Sequence, residues 1–332
     1  MMKNIAVIGA GAWGTAIAMV AQRAGRTVIL QAREPEVADA VNNRHENTVF
    51  LPGHSLHSSI TATVDPNAAV AGADAVFLVV PAQHLRTVIG RLGSALGRDV
   101  PLIICAKGIE QGTCALMSEV IEETLPGVES AILSGPTFAG EVAAELPTAV
   151  TLAMADENRG KTIAEAVGTP YFRIYTSTDI IGAQIGGAVK NVLAIACGIV
   201  EGREMGDNTR AALITRGLAE IVRLGRAKGG RAETLMGLSG IGDLTLTCNA
   251  FQSRNFSLGV ALSEGRDLDA VLKERQSVAE GVFTAASVTD LAKRLGVEIP
   301  ICAAVDSILN RDADIDKTIH ALLSRPFRSE AH

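Results

Sequence analysis

One glycine pattern near the start constrains this chain more than any other feature. Gly9-Ala10-Gly11-Ala12-Trp13-Gly14 directly follows an apolar run at 5–8 and opens an Ala-rich stretch of helical length at 13–24. A strand entering a helix through G-x-G-x-x-G uses its first glycine for a tight turn. The second admits a pyrophosphate close to backbone N–H groups, and the third lets helix and strand pack closely. The helix N-terminus then faces the anion. Gly9, Gly11 and Gly14 are therefore candidate dinucleotide contacts.

The rest of the first half agrees with that start. Apolar runs at 5–8, 27–30, 75–80, 102–105, 131–133, 149–153 and 172–175 alternate with helical patterns. Such alternation predicts parallel strands joined by crossover helices, and continuously apolar strands predict a sheet covered on both faces. The fold class is α/β: a Rossmann-like doubly wound sheet over residues 1–178, followed by an all-α domain over 179–332. In the second part, helix-length stretches at 180–201, 209–228, 253–264, 284–295, 300–310 and 315–323 are separated by Gly-rich turns. With 332 residues, and roughly 150 per domain, two closely packed domains with a cleft between them are expected.

Composition narrows the partners. Lys and Arg total 30 against 36 Asp and Glu, a net charge of −6, and aromatic residues make up only 3% of the chain. Nucleic acid and anionic membranes are poor partners for such a surface, so any positive site is local. No apolar run approaches the roughly 18 residues of a membrane span, and the first strand begins too early to leave room for a leader, so a cytoplasmic protein is expected. Cys105, Cys114, Cys197, Cys248 and Cys302 are scattered and odd in number, which predicts reduced thiols. His45, His54 and His57 lie in a polar segment without a carboxylate pattern and read as loop residues, so no metal site is expected.

Several residues can carry chemistry. After the second strand, Gln31-Ala32-Arg33-Glu34 offers Arg33 to a 2′-phosphate and Glu34 to a ribose hydroxyl. The cofactor reading leans to NADP and leaves NAD open. Lys190 interrupts an apolar helical stretch, with Ala183, Gly186, Ala194 and Cys197 on its face, a small-residue surface expected to leave space above it. Lys107 stands at the carboxyl end of a strand, where open α/β sheets bind ligands. Ser134-Gly135-Pro136-Thr137-Phe138-Ala139 offers backbone amides to an anion, and Asp243 in a Gly-rich turn suits an ammonium partner. Ser253 is a plausible N-cap, with Arg254 and Asn255 beside it suited to a phosphate. Hydride transfer on a small phosphorylated alcohol, with lysine as the acid/base, fits this set. Another two-domain hydroxyacid or ketopantoate-type dehydrogenase, and a non-catalytic NAD(P)-sensing protein, are the alternatives.

These segments, together with Ala211-Ala212-Leu213-Ile214-Thr215-Arg216-Gly217 and Ala279-Glu280-Gly281, occur in an order that resembles the NAD(P)-dependent glycerol-3-phosphate dehydrogenases of the bacterial type. The resemblance covers almost the whole chain. It implies reversible reduction of dihydroxyacetone phosphate to sn-glycerol 3-phosphate for glycerophospholipid synthesis, and a homodimer. It implies Lys190 as the general acid/base, with Lys107 and Asp243 also catalytic. Gly135, Thr137, Ser253, Arg254 and Asn255 join these three at the substrate. Ala12, Trp13, Arg33, Lys107, Ala139, Arg254, Val278 and Glu280 would contact the cofactor. Gln31 stands where the family often has an aromatic residue, residues 202–207 depart from its usual Gly- and Phe-containing loop, and Ser239 replaces a common Ala.

Overall fold

The computed structural model describes residues 2–92, 95–274, 279–326 and 329. Its first part holds ten strands: β1 (Asn4–Ile8), β2 (Thr27–Gln31), β3 (Glu46–Asn47), β4 (Leu51–Ser55), β5 (Ile60–Thr63), β6 (Ala75–Leu78), β7 (Leu102–Ile104), β8 (Ser130–Ser134), β9 (Thr148–Met154) and β10 (Phe172–Ser177). Between them run α1 (Ala12–Arg23), α2 (Pro35–Asp39), α3 (Pro66–Val70), α4 (Leu85–Leu92), α5 (Met117–Thr124), α6 (Ala139–Ala143) and α7 (Glu157–Val167). Eight strands form one sheet in the order β10-β9-β8-β7-β6-β1-β2-β5. Ile5 to Ile8 and Ala75 to Leu78 are almost wholly buried, as strands covered on both faces must be. Because β1 lies between β2 and β6, the winding reverses there, and the carboxyl ends of β1 and β6 bound the crevice where such sheets take ligands.

The expected all-parallel sheet is corrected at one pairing. β8 and β9 run antiparallel, with Ile132 opposite Ala153. The five-residue α6 lies between them, and the chain turns back along β8 instead of crossing over the sheet. Two further elements lie outside the expected runs. β5 adds a parallel edge to β2 through the short alternating Ile-Thr-Ala-Thr, and β3 and β4 form a hairpin within the polar histidine segment.

After β10 the chain is helical: α8 (Ile180–Gly202), α9 (Asp207–Lys228), α10 (Ala232–Leu235), α11 (Asp243–Cys248), α12 (Arg254–Ser263), α13 (Leu268–Glu274), α14 (Glu280–Leu295), α15 (Pro300–Asn310) and α16 (Ile315–Leu323). Asp179 caps α8, accepting from Gly182 N at 2.8 Å. α8 is the axis of this part and is buried from Gly182 to Val200. By length and mean hydropathy it is long and apolar enough to cross a membrane, but Gln184, Lys190 and Asn191 divide it into shorter apolar runs, and neighbouring helices cover it. Helix α12 crosses α8 at glycines. A Cβ on Gly198 would meet Phe256 O at 2.0 Å, and one on Gly259 would meet Ile195 O at 2.1 Å, so the two backbones touch.

Candidate active site

The glycine turn assigns three roles to three glycines. Gly9 adopts φ +108°, a conformation open to glycine, and a Cβ there would meet Val79 O at 2.7 Å. A Cβ on Gly14 would sit 1.8 Å from Gly9 O, so the third glycine brings helix against turn. Gly11 has nothing within 4 Å of its Cβ direction. It caps α1 without a side chain, and no acidic residue stands in the first turn. The first amides of a helix lack intrahelical acceptors, so this open, uncapped N-terminus at the sheet crevice fits a dinucleotide pyrophosphate.

Lys190 lies in the middle of α8, and its Nζ donates to Asp243 Oδ1 at 2.6 Å and to Thr247 Oγ1 at 2.8 Å. Lys107 comes from the carboxyl end of β7 and donates to the other carboxylate oxygen, Asp243 Oδ2, at 2.7 Å and to Gly135 O at 3.1 Å. Asp243 is fully buried, so its carboxylate is shared by two ammonium groups out of water. The formal charge of this trio is positive, which suits an anionic substrate. Burial pushes the Lys190 pKa down to about 8, against the pull of Asp243 and with help from the charge of Lys107.

Small residues make this convergence possible. A Cβ on Gly186 would fall 2.3 Å from Ser239 O, so the turn at Leu238–Gly242 presses onto α8 and delivers Asp243, the first residue of α11, to Lys190. The small face of α8 therefore admits close backbone packing rather than leaving open space, because the turn before Asp243 occupies it. Gly187 similarly faces Ser134 Oγ and the Lys107 stem.

The remaining expected residues fall into place unevenly. Ser253 does cap α12, accepting from Phe256 N at 3.3 Å, and Arg254 opens that helix. Asn255 is buried; its Nδ2 donates to Asn191 Oδ1 at 2.9 Å and its Oδ1 accepts from Gly281 N at 3.1 Å. It thus joins the N-termini of α12 and α14 to α8. Thr137 turns its hydroxyl to Gly135 O, and Ala139 begins α6. Glu280 accepts from Ala82 N at 3.1 Å, and burial raises its pKa. Arg33 stands at the end of β2, 88% exposed and paired with Glu34, without direct contact to the lysine cluster. Val278 lies outside the described residues. Thr247 and Asn191 were missed by sequence reasoning. Thr247 is four residues beyond Asp243, one helical turn along, a spacing that offers a signal only once α11 is known to be helical.

With this geometry in hand, two family models account for most of the chain: the NAD-dependent glycerol-3-phosphate dehydrogenase N-terminus matches residues 4–160, and the corresponding C-terminus matches residues 179–320. The chain belongs to the NAD-dependent glycerol-3-phosphate dehydrogenase family. It is 59% identical over 330 residues to the glycerol-3-phosphate dehydrogenase (NAD(P)+) of Rhodospirillum rubrum, covering 99% of this chain and 95% of that one. The crystal structure of glycerol-3-phosphate dehydrogenase from Coxiella burnetii superposes with a TM-score of 0.94 at 39% identity, covering 98% and 99% of the two chains. A ketopantoate reductase from Ralstonia eutropha, at 18% identity and a TM-score of 0.61 over 96% of this chain and all of that one, shares the fold alone. Membership of this family makes the chain an NAD(P)-dependent oxidoreductase.

Proposed function

We propose that this protein interconverts dihydroxyacetone phosphate and sn-glycerol 3-phosphate, with residues 1–178 holding the dinucleotide and 179–332 supplying the substrate and proton-transfer groups. The observation that carries this reading is the buried Asp243 carboxylate, held at 2.6 Å by Lys190 and 2.7 Å by Lys107. When bound, the nicotinamide carries the hydride to or from C2 of the substrate. Lys190 gives a proton from Nζ to the C2 oxygen during reduction and takes the hydroxyl proton back during oxidation. A group with pKa near 8 exists in both forms near neutrality, as a reversible acid/base must. Asp243 and Thr247 fix the direction of that Nζ, and Lys107 places a second positive charge beside the substrate.

The phosphate is held by Arg254 and the α12 amides next to Ser253, with Gly135 and Thr137 as further contacts and Asn255 bracing the helix start. Arg33, Ala12, Trp13, Ala139 and Glu280 line the cofactor side. Arg33 favours NADPH through its 2′-phosphate, while Glu34 leaves NADH usable. The enzyme works in the cytoplasm as a homodimer, and its product enters glycerophospholipid synthesis. The dimer face is the apolar groove between α9, α15 and α16: it encloses about 1050 Å3, no residue of α16 is buried, and Leu323 is 72% exposed. Initial rates of NADH and NADPH oxidation with dihydroxyacetone phosphate and with dihydroxyacetone test the reading. Turnover that requires the phosphate and is faster with NADPH is expected; equal rates with the two ketones contradict the substrate assignment.

A further inference from the structure

The polar segment that carries His45, His54 and His57 does more than connect strands. Asn47, on β3 of its hairpin, is fully buried against the glycine turn. Its Nδ2 donates to Ala10 O at 2.8 Å and to Thr15 Oγ1 at 2.8 Å, while its Oδ1 accepts from Phe50 N at 3.0 Å. The donor directions are fixed. An amide nitrogen only donates, Ala10 O only accepts, and Thr15 Oγ1 passes its own proton to Gly11 O at 3.0 Å. The carbonyls of Ala10 and Gly11, the two residues between the tight turn and the helix, are thereby drawn back to one side. Peptide groups are planar, so fixing these two carbonyls also fixes the amides of Gly11 and Ala12 at the opening of the crevice. Gly9 N, bonded to Gln31 O at 3.1 Å, anchors the other end of the turn.

We infer that Asn47 is a positioning residue for dinucleotide binding: through Thr15 and the Ala10 carbonyl it holds the glycine turn in its anion-accepting conformation. The inference rests on the reading of this turn as the cofactor site, and not on the identity of the substrate. A turn that carries Gly9 and Gly11 is conformationally free. Without Asn47, part of the binding free energy would be spent ordering it, and a buried carbonyl would lose its donor.

The test measures NADH binding directly, by the fluorescence of the reduced nicotinamide, alongside steady-state rates for the full-length protein and its N47A, N47D and T15V variants. N47A is expected to weaken NADH binding and raise its KM about 10- to 100-fold, with kcat at saturating NADH and the KM for dihydroxyacetone phosphate within about twofold of the parent. N47D keeps the size but turns a carboxylate oxygen onto Ala10 O, so it should bind NADH no better than N47A. T15V, which removes only the hydroxyl, should show a smaller loss of the same kind and keeps the test open if the Asn47 variants fail to fold. Folded variants with unchanged NADH affinity, or with kcat falling and both KM values rising together, would overturn the inference. Because NADH binding is read without turnover, a protein that binds NADH but ignores dihydroxyacetone phosphate would reject the proposed substrate while leaving Asn47 under test.

Discussion

At the scale of single residues, the proposed catalysis turns on the protonation of Lys190. Its lowered pKa, about 8, follows first from burial, with Asp243 opposing and Lys107 adding to the shift. Reduction needs the ammonium form, so its kcat/KM should fall as pH rises through about 8. Oxidation needs the amine, so its kcat/KM should rise through the same range. Rate profiles measured in both directions check this, and a common optimum with no opposing limbs would contradict the role. Arg33 gives a second prediction. Paired with its neighbour Glu34 on the surface, it can turn to a 2′-phosphate at little cost, so Arg33→Gln should reduce kcat/KM for NADPH about tenfold and leave that for NADH nearly unchanged.

At the scale of elements, buried polar groups serve helix ends that the sequence pattern leaves unexplained. Glu220 of α9 is buried and accepts from Ile301 N at 2.7 Å and Cys302 N at 3.1 Å, so its carboxylate caps the start of α15. Glu220→Ala strands two donors, each costing about 1–3 kcal/mol when buried and unpaired. A loss of about 2–5 kcal/mol in denaturant unfolding is expected, and Glu220→Gln should lose less. Burial raises the Glu220 pKa, so the folded state binds that proton more tightly than the unfolded chain. The resulting stabilisation is present below the unfolded pKa and is lost as pH rises through the folded one. The sequence was most legible where one local pattern decides the outcome. The glycine turn, the continuous apolar strands of the sheet centre and the long apolar α8 all carry their own signal. β5 is four residues long and owes its strand character to pairing with β2, while the direction of β9 depends on a connection whose length alone does not settle it. Lys190, Lys107 and Asp243 stood out as charges in apolar or Gly-rich settings. Thr247 and Asn191 did not, because their importance comes from what α11 and α12 bring against α8.

At the scale of the whole molecule, the sheet and the helical part meet at the site, since Lys107 follows β7 while Lys190 and Asp243 belong to α8 and α11. The apolar groove beside α16 lies along the far half of α8, which leaves the crevice free in the proposed dimer. Sedimentation or light scattering should give a dimer mass, and Leu323→Asp should shift it toward the monomer. The division of labour between the two parts is tested most directly by Lys190→Ala, with NADH binding measured by fluorescence and turnover measured with dihydroxyacetone phosphate. Binding within about twofold of the parent and turnover reduced about 10²–10⁴-fold is the predicted result; a variant that binds NADH and turns over at the parent rate would contradict the assignment of Lys190 as the proton-transfer group.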